Sequence, residues 1–180
     1  MNVVQPIRDR EKLEAVKAWF AARGPRDNLM FLVGINAGLR ISDILQLRVR
    51  DIDGQHLVLR EQKTGKRRFI PISQDLAHCF RQYCKGRRGS DYMFPSREGT
   101  NKPLTTSMAY RIMREAAAAV GLKHIGTHTL RKTFGYHLYQ QTKDPQLVCE
   151  VLGHSDPAIT RRYIGIDQDT VDDAIGRFRI

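Results

Sequence analysis

Long apolar runs are missing from this sequence, and their absence excludes two classes of protein. No apolar stretch of the 180-residue chain approaches the roughly 20 residues that a membrane-spanning helix needs. The first residues, MNVVQPIRDREK, lack the apolar centre of a signal peptide. The sequence therefore predicts a cytoplasmic protein that has no membrane partner.

Cysteines are also few, and their spacing excludes the usual cysteine-based sites. The three cysteines, Cys79, Cys84 and Cys149, form neither a disulfide framework nor the paired CxxC motifs of a zinc site. His124 and His128 lie one helical turn apart, but the Gly-Thr pair between them is typical of a helix boundary, which disfavours a shared metal ion. We expect free thiols in a reducing compartment, no bound metal and no other cofactor.

Acidic residues are outnumbered, and this imbalance indicates a polyanionic partner. The chain has 30 Lys and Arg against 19 Asp and Glu, which gives a formal net charge of +11 and a pI near 10.0. Such a field attracts nucleic acid first and an anionic membrane surface second. Hydrophobic residues make up 41% of the chain, which is ordinary for a globular domain. The composition favours one globular domain that binds nucleic acid.

Apolar residues recur at helical spacing along most of the chain. Helices are predicted at about 8–22, 26–37, 41–48, 74–84, 105–120, 128–141, 145–153 and 157–165, with a further amphipathic segment at 167–177. The seventh and eighth helices each begin at an Asp-Pro pair, in which the aspartate caps the helix and the proline occupies its first position. The domain is therefore predicted to be mainly α-helical.

The period changes between the third and fourth predicted helices. Residues 51–73, DIDGQHLVLREQKTGKRRFIPIS, alternate apolar and polar residues around two turn signals, Asp53-Gly54 and Thr64-Gly65. This pattern predicts a small antiparallel sheet of two or three strands, with Lys63 at the second turn. The expected fold class is α+β, with helices dominating.

Five short motifs carry side chains that suit the chemistry of a phosphate ester. They are AGLRISDIL, EQKTGKRR, HTLRKTF, VLGHSDP and RRYIG, and they contribute Arg40, Asp43, Lys63, His128, Arg131, His154 and Tyr163. Arginine forks match phosphate oxygens, and histidines donate hydrogen bonds or move protons near neutral pH. A tyrosine is a covalent nucleophile, although it is weak at its free pKa of about 10. As a set, these side chains suit phosphoryl transfer without a metal ion.

Each of these side chains also has an ordinary structural explanation. Arg40 lies one helical turn before Asp43, where the two would form a local ion pair. His128 and His154 lie where helices begin or end, and both would serve as caps. Tyr163 fits a half-buried aromatic residue with its hydroxyl in water. The case for chemistry therefore depends on the combination and not on any single residue.

In this order the motifs resemble the tyrosine recombinase, or phage integrase, family. The similarity lies in GLRISDIL, in KTGK followed by IPI, in HTLRKTF and in VLGHSDPAITRRY, and it extends from about residue 25 to residue 166. The interval from His154 to Tyr163, with Thr160 three residues before the tyrosine, is characteristic. The resemblance implies the tyrosine recombinase catalytic-domain fold. It also implies a site-specific recombinase or integrase, an enzyme that breaks and rejoins DNA.

The resemblance implies a phosphate-binding role for four of the side chains. Arg40 and Arg131 would hold the scissile phosphate and stabilise its pentacoordinate transition state. His128 and His154 would donate hydrogen bonds to the non-bridging oxygens. His128 is in addition a candidate for proton transfer.

The resemblance assigns the covalent step to the remaining residues. Tyr163 would attack the phosphorus atom and form a 3′-phosphotyrosyl bond, and Lys63 would protonate the 5′-oxygen as it leaves. Asp43 stands where the family has an acidic residue that braces the site. Because the tyrosyl ester conserves the energy of the phosphodiester, no ATP is needed.

Further basic residues are candidates for contacts with the backbone of double-stranded DNA. They lie beside Lys63, in or near the loop 85–103, and next to the tyrosine, and they are Arg67, Arg68, Arg87, Arg88, Arg97, Lys102, Arg161 and Arg162. For each of them, a solvated surface charge is the alternative interpretation. Arg161 and Arg162 would contact phosphate or lower the pKa of the neighbouring phenol.

The resemblance also sets expectations for domains and assembly. Residues 1–180 are expected to be one catalytic domain, with residues 1–24 as a lead-in helix too short for the family's N-terminal core-binding domain. The chain is then either a fragment of a longer protein or a short recombinase, bacterial or phage-encoded. Four protomers would assemble on DNA from a free monomer. Residues 167–180, with Val171, Ile175 and Phe178, would dock on a neighbouring protomer or pack on their own domain.

Three other functions are compatible with parts of the sequence. Asp51 or Asp53 followed by Glu61-Gln62-Lys63 imitates the D…ExK pattern of a metal-dependent nuclease. A basic helical protein that regulates DNA without cutting it would share the composition. A type IB topoisomerase would share the tyrosine chemistry.

Overall fold

A computed structural model describes residues 4–60, 65, 67–166 and 175–179 of the chain. Within these residues the chain forms eight α-helices and one antiparallel sheet. The helices are α1 (Arg10–Arg23), α2 (Pro25–Ala37), α3 (Ile41–Leu45), α4 (Gln74–Cys84), α5 (Thr106–Ala119), α6 (Thr127–Thr142), α7 (Pro145–Leu152) and α8 (Pro157–Ile164). The predicted α+β class, with helices dominating, is confirmed.

The two Asp-Pro pairs start α7 and α8 as predicted. Asp144 and Asp156 have extended backbones, and Pro145 and Pro157 occupy the first helical positions. Each aspartate accepts a hydrogen bond from the backbone N–H two residues later, at 2.8 Å in α7 and 2.7 Å in α8. These bonds satisfy N–H groups that the first turn leaves without a helical partner. The start of the helix that carries Tyr163 is therefore encoded locally.

The sheet has three strands, β1 (Ile52–Asp53), β2 (His56–Arg60) and β3 (Arg67–Pro71), in the order β1-β2-β3. Leu57 pairs with Ile70, and both side chains are buried on the face that meets the helices. The next pair, Val58 with Phe69, lies on the opposite face, where the ring of Phe69 is exposed. This alternation is what the sequence pattern predicted. Lys63, which was predicted to lie at the second turn, is outside the described residues.

Helix α2 lies at the centre of the main core and packs against α1, α4 and α6. The rings of Phe20 and Phe31 stack with their centroids 4.5 Å apart between α1 and α2. Where α2 meets α6, a Cβ atom on Gly34 would lie 2.6 Å from Cδ1 of Leu130. The glycine thus lets the two helices approach closely, and this brings the start of α6 beside the end of α2.

A second, smaller core attaches α7 and α8 to α6. Its buried members are Val148, Leu152, Ile164 and Ile166. Gly135 of α6 faces this cluster, and a Cβ atom there would lie only 2.8 Å from Cγ2 of Ile164. Because α8 packs almost against the backbone of α6, the position of Tyr163 depends on this contact.

Residues 4–9 form an extended N-terminal strap along α6. The N–H of Ile7 donates to Oγ1 of Thr133 at 2.9 Å, and the carbonyl of Ile7 lies 2.9 Å from Nε2 of His137. The next residue, Arg8, donates from Nη2 to the carbonyl of Gly165 at 2.9 Å. The N-terminal strap therefore reaches from α6 to the residue that ends α8.

Helix α3 is shorter than predicted, since it ends at Leu45 and not near residue 48. After it, the carbonyl of Leu47 accepts from the N–H of Met93, at 2.7 Å, and the N–H of Val49 donates to the carbonyl of Asp91, at 3.0 Å. A short 3-10 turn follows at Val49–Asp51. The backbone groups that would extend α3 are thus bonded to a distant loop, a non-local competition that periodicity does not reveal.

The predicted C-terminal amphipathic segment lies mostly outside the described residues, which omit 167–174. Ile175 and Phe178 are described, and they are 69% and 63% exposed. These are large apolar side chains without a packed surface over them in the described part of the single chain. Val171, the third apolar residue of the predicted segment, is not among the described residues.

Replacing Gly135 with Ala is expected to destabilise the protein by about 1–2 kcal/mol. The added methyl group overpacks the contact with Ile164, which outweighs the gain of about 0.5–1 kcal/mol that alanine brings to a helix interior. Urea unfolding of the full chain measures the difference. Gly176→Ala is the control, because no atom of the described residues lies within 4 Å of a Cβ atom built there. A Gly135→Ala protein as stable as the wild type would contradict the close packing of α8 on α6.

Candidate active site

Five of the residues that the motifs singled out come together where four helices end or begin. They are Arg40 before α3, His128 and Arg131 in the first turns of α6, His154 after α7 and Tyr163 in the last turn of α8. The charges of Arg40 and Arg131 both act on the pKa values of all three titratable side chains in this group. Residues separated by more than 120 positions in the chain therefore form one cationic cluster.

Arg131 is the anchor of this cluster. Its side chain is only 3% exposed, and Nη1 donates to the carbonyl of Gly38 at 2.6 Å. Nη2 donates to the carbonyl of Leu152 in a short hydrogen bond. Both carbonyls belong to helix C-termini, where a positive charge is favoured. The guanidinium thus ties α6 to the ends of α2 and α7 and is held in a fixed orientation.

Arg40 reaches the same place through a tight turn after α2. Gly38 adopts the left-handed conformation at φ 61°, and a Cβ atom there would lie 2.5 Å from Cδ1 of Phe134, so only glycine fits. Leu39 is buried, and half-buried Arg40 then caps α3 with its carbonyl accepting from Asp43 and Ile44. The turn therefore places Arg40 two residues from the carbonyl that anchors Arg131. Asp43, the predicted brace, is buried in the same short helix.

His154 follows the left-handed Gly153 that ends α7 and is held at two points. Its backbone N–H donates to the carbonyl of Cys149 at 3.0 Å, and its Nδ1 lies 2.9 Å from Oγ1 of Thr160. Burial first, and then the charges of Arg131 and Arg40, together lower the pKa of His154 to about 4. The imidazole is therefore neutral at pH 7 when no anion is bound.

Tyr163 packs against His154 with the two rings edge to face, 5.0 Å between centroids at an interplanar angle of 86°. The Nζ atom of Lys132 lies 5.0 Å from the centroid of the tyrosine ring, a cation–π contact. The phenol oxygen is buried, without a hydrogen bond of good geometry to any described residue. Burial raises the pKa of Tyr163, while the charges of Arg131 and Arg40 oppose the rise. The phenol is therefore protonated at neutral pH.

His128 lies one turn before Arg131 and remains accessible to solvent. Partial burial of the ring lowers the pKa of His128, and the charges of Lys132, Arg131 and Arg40 lower it further. Both histidines of the cluster are thus kept from charging first by burial and then by the cations around them, which include the same two arginines. An arriving anion would reverse this effect on both.

The eight basic residues predicted to contact DNA differ in what they do in the structure. Arg87 donates to the carbonyls of Tyr92 and Met93 and lies over the ring of Tyr83, so it holds the loop after α4 together. Arg88 pairs with Asp91 at 3.2 Å. The side chains of Arg88, Arg97, Lys102 and Arg162 are exposed, and Arg161 is half-buried.

The neighbouring arginines of β3 face in opposite directions. Arg67 is exposed, with its guanidinium 5.2 Å from the ring centroid of Phe69. Arg68 turns inward and donates from Nη2 to the carbonyl of Val151 in α7 at 2.6 Å. The alternation of β3 carried this signal, because Arg68 lies two residues from buried Ile70 on the same face. Arg68 thus joins the sheet to the helix that precedes His154.

Three residues with contacts to the cluster were not singled out for chemistry by the motifs alone. Lys132 lies over the ring of Tyr163, Thr160 bonds to His154, and Arg8 bonds to the end of α8. The position of Thr160, one turn before the tyrosine on the same helix face, is a signal that the sequence did contain. The contact of Arg8 spans 157 residues, and nothing local predicts it.

The described residues contain neither a metal-binding cluster nor a membrane-spanning helix. No cluster of three or more His, Cys, Asp or Glu side chains suited to a metal ion occurs among residues 4–60, 65, 67–166 and 175–179. Glu61 and Lys63 of the nuclease pattern lie outside these ranges. In the part of the chain that the structure describes, no helix has the length and apolar character needed to cross a membrane.

Comparisons with known proteins identify relatives of the whole fold. A family model described as the phage integrase family matches residues 10–169. The probable integrase/recombinase YoeC of Bacillus subtilis (strain 168) is 52% identical over 171 residues, which cover 94% of both chains. The crystal structure of XerA recombinase superposes with a TM-score of 0.78 at 20% identity, over 98% of this chain and 67% of that one.

A second solved structure is that of the XerH site-specific recombinase bound to palindromic difH substrate. It superposes with a TM-score of 0.74 at 21% identity, and the match covers 98% of this chain and 54% of the XerH chain. This chain thus spans about half to two thirds of the two solved recombinases but nearly all of YoeC. From the family match and the identity to YoeC, the chain belongs to the phage integrase family, the tyrosine recombinases, as its motifs predicted.

Proposed function

We propose that this chain cleaves and rejoins double-stranded DNA at a specific site through a transient bond between Tyr163 and a 3′-phosphate, without a metal ion. The observation that carries the proposal is the meeting of two guanidinium groups, two imidazoles and one phenol at the ends of four helices. The fold is shared with the XerH recombinase, whose structure contains its DNA substrate. The net charge of +11 suits the same partner.

Arg40 and Arg131 bind the scissile phosphate in this proposal. The guanidinium of Arg131 is already fixed by the carbonyls of Gly38 and Leu152 before DNA arrives. A donor held in place in advance needs no reorganisation as charge develops on the phosphorane oxygens. Arg40 approaches from the turn after α2, so the phosphate is held from two elements.

The two histidines change their protonation as the phosphate enters. In the free protein His128 and His154 are kept neutral by burial and by the cations around them. The negative charge of the phosphate raises the pKa of both imidazoles again. Each can then donate a hydrogen bond to a non-bridging oxygen, and His128 can pass a proton. The site thereby gains positive charge only when its substrate is present.

Tyr163 is the nucleophile, and the reaction conserves one phosphodiester at every step. The phenol gives its proton to solvent water as its oxygen bonds to phosphorus, and the bond from phosphorus to the 5′-oxygen breaks. Lys63 supplies the proton that the leaving 5′-oxygen takes up, a role that follows from the family motif. Attack of a free 5′-hydroxyl on the phosphotyrosine reverses the sequence and releases Tyr163. No nucleotide is consumed.

Exposed cations around the site contact the DNA backbone in this proposal. Arg67, Arg88, Arg97, Lys102 and Arg162 have the required exposure. Arg68 and Arg87 are bonded within the chain, and we assign them to the fold. Contacts of the exposed group position the duplex without reading its sequence.

Assembly and location follow the family pattern. We assign the chain to a single catalytic domain that is monomeric when free and forms a tetramer on two DNA sites. Exposed Ile175 and Phe178 suit a C-terminal segment that docks on a neighbouring protomer. Such an enzyme acts on DNA in the cytoplasm of a bacterium.

Replacing Tyr163 with Phe tests the covalent step. A nicked suicide duplex that carries the target site, sought in the DNA flanking the gene, is expected to trap a protein–DNA adduct resistant to SDS. Tyr163→Phe removes only the nucleophilic oxygen, so it is expected to abolish the adduct and keep DNA binding. The assay contains EDTA, which separates tyrosine transfer from a metal-dependent nuclease. Adducts of equal yield with Tyr163→Phe would refute the assignment, as would a requirement for metal.

The adjacent arginines of β3 give a matched pair of substitutions. Arg67→Gln is expected to weaken DNA binding and to reduce the slope of log affinity against log salt by about 1, with unchanged stability. Arg68→Gln is expected to reduce the free energy of unfolding by about 1.5–3 kcal/mol, because it removes a hydrogen bond from a charged donor to Val151. Salt-dependent fluorescence anisotropy and urea unfolding measure the two quantities. Lower stability with Arg67→Gln and weaker DNA binding with Arg68→Gln would contradict the outward orientation of Arg67 and the inward orientation of Arg68.

The neutral state of His154 predicts how stability depends on pH. Its pKa is about 4 in the folded chain against 6.5 for an ordinary histidine, so between these values the unfolded chain binds more protons. Stability is therefore expected to rise from pH 4.5 to 6.5 and to level off above. His154→Gln should flatten part of this rise, measured by urea midpoints at each pH. His78→Gln, at an exposed position, is the control and should keep the wild-type profile.

A further inference from the structure

Helix α8, which carries the proposed nucleophile, also contains a buried hydroxyl that has no role in the reaction proposed above. Thr160 is 0% exposed and lies one helical turn before Tyr163. Its Oγ1 is 2.9 Å from Nδ1 of His154 and 3.3 Å from the carbonyl oxygen of Asp156. The hydroxyl therefore bridges an active-site imidazole and the backbone at the start of α8.

One hydroxyl proton must be shared between these two neighbours. If Oγ1 of Thr160 donates to the carbonyl of Asp156, it can accept a hydrogen bond from a protonated Nδ1 of His154, and two bonds are made. If Oγ1 donates to Nδ1 instead, the bond to the carbonyl is lost and only one remains. Because buried polar groups favour the arrangement with more hydrogen bonds, the neutral imidazole carries its proton on Nδ1.

The same contact fixes the orientation of the ring. The imidazole is held by Thr160 at Nδ1 and by the edge-to-face packing on Tyr163, while the backbone of His154 is bonded to Cys149. A half-turn of the ring would replace Nδ1 with a carbon atom opposite Oγ1. The second nitrogen, Nε2, is left as the only ring atom available for an incoming oxygen of the phosphate.

Resting on the proposed function, we propose that Thr160 is a positioning residue for the DNA-cleavage site. Its hydroxyl holds His154 in one orientation and one tautomer, with the proton on Nδ1 and a lone pair on Nε2. When the scissile phosphate binds, Nε2 takes one proton from solvent and donates it in a hydrogen bond to a non-bridging oxygen. Thr160 touches neither phosphate nor nucleophile and acts through His154.

The surroundings of His154 fit uptake of a proton that is linked to phosphate binding. The groups that face it from the packed elements are Arg40 before α3, Arg131 of α6, Cys149 of α7 and Tyr163 of α8. Arg40 and Arg131 are permanent cations, and they disfavour a positive charge on the imidazole until an anion enters. The low pKa of His154 in the free protein, about 4, agrees with this balance.

This contact also couples the imidazole to the nucleophile. Thr160 and Tyr163 belong to one short helix, so the hydroxyl that orients His154 arrives only when α8 is docked. If α8 leaves α6, His154 loses the partner of Nδ1 together with the ring against which it packs. The orientation of His154 that suits phosphate binding and the position of the phenol of Tyr163 are therefore gained or lost together.

A pair of substitutions separates the hydroxyl of Thr160 from its shape. Thr160→Val keeps the shape and removes the hydroxyl, and it is expected to slow adduct formation on the suicide duplex by about tenfold while DNA affinity stays unchanged. Thr160→Ser keeps the hydroxyl and loses a buried methyl group, and it is expected to restore most of the rate. If Thr160 only fills space, the order reverses, with valine close to wild type and serine impaired. That reversal would overturn the proposal.

The tautomer provides a readout that needs no activity. In free protein labelled with ¹⁵N-histidine at pH 7, His154 is expected to show a protonated Nδ1 and an unprotonated Nε2, with the signals assigned by their loss in His154→Gln. Thr160→Val is expected to mix the tautomers, and Thr160→Ser to keep them. A His154 protonated on Nε2 in the wild type, or spectra indifferent to Thr160→Val, would refute the positioning role.

The two experiments fail in different ways. If the wild type forms no adduct but its tautomer depends on the hydroxyl, the proposed function fails and the positioning of His154 stands. If the wild type forms adducts while the rate and the tautomer ignore Thr160→Val, the function stands and this inference fails.

Discussion

The fold and the site depend on the same buried guanidinium. Arg131 bonds to the carbonyls that end α2 and α7, so it joins three helices that the chain sequence separates. Burying a charge is costly unless its donors are satisfied, and helix C-termini supply both acceptors and a favourable dipole. The same charge lowers the pKa of His154 and opposes the rise in that of Tyr163. The assembly of the helices and the electrostatics of the site are therefore one feature.

When no anion is bound, the cationic cluster disfavours any further positive charge in the site. Burial, reinforced by the charges of Arg40 and Arg131, keeps His128 and His154 neutral, and the phenol of Tyr163 stays protonated because it is buried. A bound phosphate diester would change the protonation equilibria of all three side chains, since its negative charge favours imidazolium groups and offsets the cations. In the proposed reaction, the substrate would thus complete the protonation pattern that its own cleavage needs. Preorganised donors and responsive histidines are complementary parts of one electrostatic design.

Sequence patterns predicted the helices, the sheet and the family, because caps, glycines and alternation are local signals. They placed the end of α3 incorrectly because the backbone of Leu47 is bonded to Met93, far along the chain. Residue type alone did not separate Arg67, which is exposed, from Arg68, which bonds inside the protein. The motif showed the position of Thr160, but it did not show the bond from its hydroxyl to the imidazole of His154. What the sequence could not provide was in each case a contact between residues that do not belong to the same helix or strand.

The position of Tyr163, the proposed nucleophile, is a property of the docked helix and not of α8 alone. Helix α8 has eight residues, too few to be stable in isolation, so tertiary contacts decide where Tyr163 lies. Gly135 allows close approach to α6, Thr160 bonds to His154, and Arg8 of the N-terminal strap holds the carbonyl of Gly165. These contacts reach α8 from separate parts of the chain. Loss of any one of these contacts would therefore allow the phenol to move relative to Arg131.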